Sequence, residues 1–198
     1  MFVLTIDQRR SRDGADRVPE LLDVLNEREL RSPFVRTAGD EVQGVAADAA
    51  QVIEIVGILL RSESWRCGIG AGEGELDFAP DAPDSRSGRG EAFVHARRAL
   101  DSIKSSRRSI ALRASNEDAA AQGEALLHLI EVVSASRTTR QWEIIDAVER
   151  NETMARAAEE LGVSQSAVSQ AYALAGRREE RACYGLLGRL LRECDGGE

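Results

Sequence analysis

One glycine between two short amphipathic runs sets the tightest constraint on this 198-residue sequence. Met154 to Leu161 brings Ala157, Ala158 and Leu161 to one face, and Gln165 to Ala175 does the same for Val168 and Ala171. Only Gly162-Val163-Ser164 stands between them. A connection that short forces two helices to cross at a sharp corner. The corner needs a small residue in the first helix and, at the turn, a residue that tolerates positive φ. It also needs an aliphatic plug in the second helix. Ala158, Gly162 and Val168 meet these needs in order, with Leu161 and Val163 flanking the turn and Ser164 placed as N-cap. Upstream, Trp142, Ile144, Ile145 and Val148 predict a third helix that Asn151-Glu152-Thr153 breaks. This spacing predicts a helix-turn-helix. Ser164, Gln165, Ser166, Ser169 and Gln170 then face outward, where a recognition helix meets base edges and phosphates. Arg177 and Arg178 follow and are expected to reach the phosphate backbone.

Charge limits how such a contact can work. The chain carries a formal charge of -8, so no global basic field attracts nucleic acid. Gln165 to Ala175, however, holds no acidic residue. Double-stranded DNA is therefore expected as a partner through a local, salt-sensitive contact made by a homodimer. The last apolar stripe, Tyr184, Leu186, Leu187, Leu190 and Leu191, reads as core or lid more than as the dimer interface.

Other classes recede. No apolar run reaches the ~18 residues of a membrane helix. Asp7 arrives too early for a secretory h-region, so a cytoplasmic protein without membrane contact is expected. Cys67, Cys183 and Cys194 form no C-x-x-C pair, and the two histidines are too few for a thiolate or imidazole metal cluster. Cys67 reads as a core thiol and His128 as a satisfied, partly buried histidine. His95 reads as lying on a solvated helix face, with a phosphate contact as the alternative.

Before residue 134 the pattern changes. Phe2 to Ile6 reads as a buried strand, and Pro19 opens an amphipathic helix. Phe34–Thr37 and Val42–Val45 flank a hairpin tip at Ala38–Glu41, and an apolar helix covers Val52 to Leu60. A strand over Trp65–Gly70, a helix over Glu91–Lys104, a strand over Ser109–Arg113 and an Asn116-capped helix follow. The order β-α-β-β-α-β-α-β-α predicts an α+β fold, a ferredoxin- or palm-like antiparallel sheet with helices, followed by an all-α helix-turn-helix domain. The polar break at Ser134–Thr139 places the boundary between domains at 1–136 and 137–198.

Asp7 ends the first strand, and Asp40 and Glu41 sit on the hairpin tip. Carboxylates on adjacent strands can converge on one Mg²⁺ or Mn²⁺ ion, which completes its shell with phosphate oxygens and water. Arg9, Arg10, Arg12, Arg36, Arg86 and Arg89 are then candidate phosphate clamps. Gly68-Ile69-Gly70-Ala71-Gly72 would allow close backbone approach to a nucleotide.

Taken in order, Asp7, Gly39-Asp40, Gly68 to Gly72, and Gly90 through Ala96 to Arg98 resemble the palm domain of class III nucleotidyl cyclases and diguanylate cyclases. Asp7-x-x-x-Ser11-Arg12, Thr37-Ala38-Gly39-Asp40-Glu41-x-Gln43-Gly44 and Gly88-Arg89-Gly90-x-Ala92-Phe93 look more closely like the SatD family, some members of which end in a helix-turn-helix. The resemblance implies a metal site at Asp7, Asp40 and Glu41 and nucleotide contacts from Arg12, Arg36, Gly70, Arg89 and Arg98. Val94 stands where the cyclase helix carries asparagine, so ligand binding fits this sequence better than turnover. The sequence is expected to encode a DNA-binding regulator. Its N-terminal domain would bind a phosphorylated ligand and metal, or mediate dimerisation. The alternatives are a metal-dependent nucleotidyl-cyclase-type enzyme regulated by the helical domain, and a protein-interaction scaffold.

Overall fold

The computed structural model describes residues 1–9, 14–62, 64–77 and 84–196. The chain runs β1 (Phe2–Gln8), α1 (Val18–Asn26), β2 (Ser32–Ala38), β3 (Glu41–Ala46), α2 (Ala49–Leu60) and β4 (Trp65–Ala71). A 3₁₀ turn at Ser85–Ser87 precedes α3 (Glu91–Ile103), β5 (Ile110–Arg113) and α4 (Glu117–Ala135). Four further helices follow: α5 (Thr139–Asn151), α6 (Met154–Leu161), α7 (Gln165–Leu174) and α8 (Arg177–Cys194). No helix among the described residues is long and apolar enough to cross a membrane.

The five strands lie in the order β2-β3-β1-β4-β5. β1 pairs antiparallel with β3 and with β4, Asp7 lying opposite both Glu41 and Arg66. β5 departs from the all-antiparallel expectation and runs parallel to β4. The cause is α3, whose crossover returns the chain to the end at which β4 began. Because β1 alternates, Phe2, Leu4 and Ile6 enter one core with α1, α2 and α4, while Val3 enters another beneath α3.

Helix α3 lies unusually close to β4. A Cβ on Gly68 would stand 2.3 Å from the Ala96 carbonyl oxygen, and one on Gly70 would stand 2.0 Å from that of Ala92. Ala92, Ala96 and Ala99 are fully buried against this seat. The glycines at 68 and 70 thus make room for a helix, and Gly70 has α3 where the sequence reading placed a ligand.

Helix α4 starts at Asn116, whose side chain accepts the Ala119 amide at 3.2 Å. One face packs into the core through Leu127 and Ile130. A second face runs along the open edge of β5. Glu124 accepts the Leu112 amide at 2.8 Å, and Glu131 accepts the Ser109 amide at 2.7 Å. Between them, His128 Nε2 lies 3.0 Å from the Ile110 carbonyl, so His128 is the satisfied histidine expected from the sequence.

Beyond the polar break, α5–α7 form their own core from Ile144, Ile145, Ala147, Ala157, Ala158, Val168 and Tyr172. Helix α8 returns to the first unit and buries Leu187, Leu191 and Cys194 with the residues of α2 and α4. At the joint, the fully buried Arg137 guanidinium meets the buried Glu180 carboxylate and donates to the Ala175 carbonyl at 2.8 Å. Arg177 and the Tyr184 hydroxyl close on the same carboxylate. The guanidinium carbons of Arg61 and Arg137 each lie 4.7 Å from the centre of the Trp142 ring, and Arg61 forks onto Asp146 at 2.7 and 2.6 Å.

Burial alone would raise the Glu180 pKa, but hydrogen bonds from Tyr184 and Arg137 and the charge of Arg177 outweigh it and hold Glu180 below its ordinary value. Its contribution is therefore complete above the ordinary glutamate range and is lost as pH falls through the lowered folded value. Glu180→Gln leaves Arg137 buried without its counter-charge and should lower the unfolding free energy at neutral pH by about 3–5 kcal/mol. The gap from wild type should narrow on acidification, as read by urea unfolding across pH. Gly70→Ala should cost about 1–3 kcal/mol by forcing α3 off the sheet. Gly57→Ala, whose Cβ meets nothing within 4 Å, should be neutral or stabilising in the same assay.

Candidate functional site

Two regions hold the residues singled out by sequence. In the first, three helices are each set by a local cap. The Thr138 hydroxyl accepts the Gln141 amide at 3.2 Å, and Gln141 accepts the Thr138 amide at 2.8 Å. Thr153 caps α6 through the Arg156 amide. Gly162 ends α6 in the left-handed region at φ 64°, and the Val163 amide bonds back to the Ala158 carbonyl at 3.0 Å. Ser164 caps α7 by accepting the Ala167 amide at 3.2 Å. Val168 and Tyr172 anchor one side of α7 in the core. Ser164, Gln165, Ser166, Ser169 and Gln170 are all exposed and share the start and outer side of α7. Arg178 is also exposed. Arg177 is drawn inward instead, donating to Glu149 at 2.9 Å, Glu180 at 2.8 Å and the Tyr184 hydroxyl at 2.9 Å.

The second region is the carboxylate end of the sheet. The Gln8 amide donates to the Asp40 carbonyl at 3.3 Å, holding the hairpin tip beside the end of β1. Asp7 is mostly enclosed, 3.8 Å from Arg66. Burial, with Asp40 and Glu41 adding to it, raises the Asp7 pKa above its ordinary value against the pull of Lys104 and Arg66. The charge of Asp40 thus adds to the burial that disfavours ionisation of Asp7. Glu41 is not open in the same way. It is buried, Arg97 grips both its oxygens at 2.6 and 2.5 Å, and Thr37 donates to it at 2.9 Å. Among the described residues no group of three or more His, Cys, Asp or Glu side chains is placed to hold a metal ion. A cation here would rest on Asp7 and Asp40 and take its remaining ligands from water or a phosphate.

The expected nucleotide contacts do not converge at this end. Arg36 forks onto Asp16 at 2.9 and 2.6 Å and donates to the Gly39 carbonyl at 3.0 Å. Arg89 is held by Asp77 at 2.9 Å and Glu75 at 2.7 Å. Gly70 lies beneath α3, Arg98 projects from that helix into solvent, and Arg12 lies outside the described residues. His95 Nδ1 is 2.9 Å from the Ala71 carbonyl, so it is not a free solvent-facing ring. Cys67 is fully buried, as expected of a core thiol.

Sequence reasoning missed Arg97, Arg61, Arg137 and Glu180. Arg97 meets Glu41 across 56 residues of chain, and Arg137 meets Glu180 across 43. No local spacing signals either pair.

The family model of the SatD family matches residues 5–178 of the chain. No curated protein matches it, and no solved structure does.

The raised Asp7 pKa gives this end a testable signature. A carboxyl that ionises less readily when folded favours the native state at low pH and loses that contribution as pH rises through the raised value. Asp7→Asn should therefore increase the Tm at neutral pH, and the increase should vanish on titration into the acid range. An Asp7→Asn variant less stable than wild type at neutral pH would overturn the electrostatic account of this end.

Proposed function

The chain belongs to the SatD family, and from that premise we propose that it is a DNA-binding transcriptional regulator whose α/β half receives a signal. Residues 154–175 act as a helix-turn-helix, and α7 is the helix that enters the major groove. One observation carries this reading. The exposed side of α7 offers five seryl and glutaminyl side chains and no carboxylate, while its other side is fixed by Val168 and Tyr172. Glutamine pairs with adenine through two hydrogen bonds, and serine reaches bases or phosphates. Arg156 and Arg178 are both exposed and would add phosphate contacts.

The net charge of -8 makes a single contact weak and salt-sensitive, so the working form is a pair of copies reading two half-sites. Leu129 and Val132 on α4 and Leu174 on α7 stay 56%, 61% and 80% exposed, and they offer apolar surface to a second copy. In the α/β half, Asp7 and Asp40 are the pair to which a divalent cation would bind.

In vitro selection from a pool of random duplexes, followed by fluorescence anisotropy on the enriched sequence, tests the reading. Ser166→Glu sets a carboxylate against the phosphates and should weaken duplex binding about tenfold or more, equivalent to roughly 1.4 kcal/mol. Its Tm should match wild type because Ser166 is exposed. Failure to enrich any duplex, or a Ser166→Glu variant that binds as wild type does, would overturn the assignment.

A further inference from the structure

Helices α2, α3 and α4 all finish where β1 ends and β4 and β5 begin. They enclose a cleft of about 770 Å³. Among the described residues that line it, three side chains are guanidinium groups, those of Arg9, Arg66 and Arg107, and one is a carboxylate, Glu131. On a chain of charge -8 this is a local reversal of sign. The remaining polar lining is hydroxyl: Ser62 and Ser64 from the α2–β4 loop, Ser106 and Ser109 from the α3–β5 loop.

The three arginines are held differently. Arg9 donates to the carbonyls of Arg107 at 3.1 Å and Arg108 at 2.7 Å and to the Ser109 hydroxyl at 2.9 Å, and so fixes the α3–β5 loop. Arg66 lies 3.8 Å from Asp7, and its Nε is buried with no hydrogen-bond partner. Arg107 is exposed. On the opposing wall, Glu131 gives one oxygen to the Ser109 amide, and its other oxygen is buried with no partner. The cleft therefore presents an enclosed donor, an enclosed acceptor, two cations and four hydroxyls.

We propose that this cleft binds a small phosphate monoester that also carries hydroxyl groups. The phosphate sits against Arg66 and Arg107, whose planar forks match its oxygens, and the hydroxyls of Ser62, Ser64 and Ser109 donate to it, that of Ser106 being given to the Ile103 carbonyl. A ligand hydroxyl donates to Glu131. A cleft lined by the end of β1, by α2, β4 and α4 and by two loops suits a small molecule better than a nucleic acid backbone. Glu131 and Ala135 belong to the last turns of α4, and Ser134 on the same turn donates to the Leu60 carbonyl at 3.3 Å. The cleft thus sits beside the joint at Arg137 from which α5–α7 depart. This inference deepens the signal-receiving half of the reading above and does not depend on DNA contact.

Calorimetric titration of the full chain with ribose 5-phosphate, with ribose and with inorganic phosphate tests it. Saturable binding at one site per chain is expected for ribose 5-phosphate, weaker binding for phosphate and none for ribose. Arg107→Glu, at an exposed position, should weaken binding about tenfold or more while keeping the Tm. Arg66→Lys keeps the charge beside Asp7 but removes the fork, and should weaken binding about as much. Arg189→Glu, at an exposed position on α8 that does not line the cleft, should bind as wild type does. No saturable binding of either phosphate compound, or binding indifferent to both cleft substitutions, would overturn the proposal. So would a random-sequence duplex that displaces ribose 5-phosphate and whose own binding is weakened by Arg107→Glu, because the cleft would then belong to a nucleic acid track. Loss of duplex binding in Ser166→Glu with ribose 5-phosphate binding intact separates the two readings.

Discussion

The Arg137–Glu180 pair is the interaction on which the arrangement of the two halves depends. Arg137 is the residue before the Thr138 cap that starts α5, and Glu180 lies in the first turn of α8. Helix α8 is anchored in the main core by Leu187 and Leu191. One buried ion pair therefore ties the root of the helical unit to an element that cannot move without opening the α/β core. Two charges withdrawn from water are tolerable only when they are well engaged: Arg177 and Tyr184 add hydrogen bonds to Glu180, and the Ala175 carbonyl accepts from Arg137, whose Nη1 alone is left buried without a partner. The two guanidinium groups beside Trp142 extend the same joint outward.

The charge of the chain is organised rather than spread. Several exposed arginines stand in local pairs, Arg36 with Asp16 and Arg89 with Asp77 and Glu75, where each pair contributes little to stability. These pairs withdraw cationic side chains from ligand binding. The cleft at the end of β1 and the starts of β4 and β5 is different, since among the described residues three arginines and one carboxylate line it. The carboxylate end above it, at Asp7 and Asp40, carries the opposite sign. Arg66 thus lines the basic cleft while lying 3.8 Å from Asp7 at the acidic end.

Much of the element order was legible because each element carried its own period and its own cap. Ser164 and Asn116 are caps by residue type and by position, and Gly162 takes the positive φ that the short turn demanded. The misreadings share one cause. Glu41 looked like a ligand because it follows Asp40, yet its partner Arg97 comes from α3, 56 residues along the chain. Arg177 looked like a phosphate contact because it follows α7, yet Glu149 and Glu180 turn it inward. Gly70 allowed close approach, but residue type does not say whether a ligand or a helix approaches. The parallel direction of β5 likewise depends on the crossover through α3, which the apolar run at 109–113 does not encode.

The row Glu124, His128 and Glu131 along β5 has a consequence for how copies of this chain can meet. A strand at the margin of a sheet is a template onto which another strand can add. Here side chains at helical spacing have taken the donor and acceptor positions that an incoming strand would use. At the other margin, β2 is interrupted by register shifts and holds Pro33, which has no amide hydrogen to give. The described sheet is finished at both borders, so copies of this chain would meet through side-chain surfaces and not by lengthening a shared β-ladder.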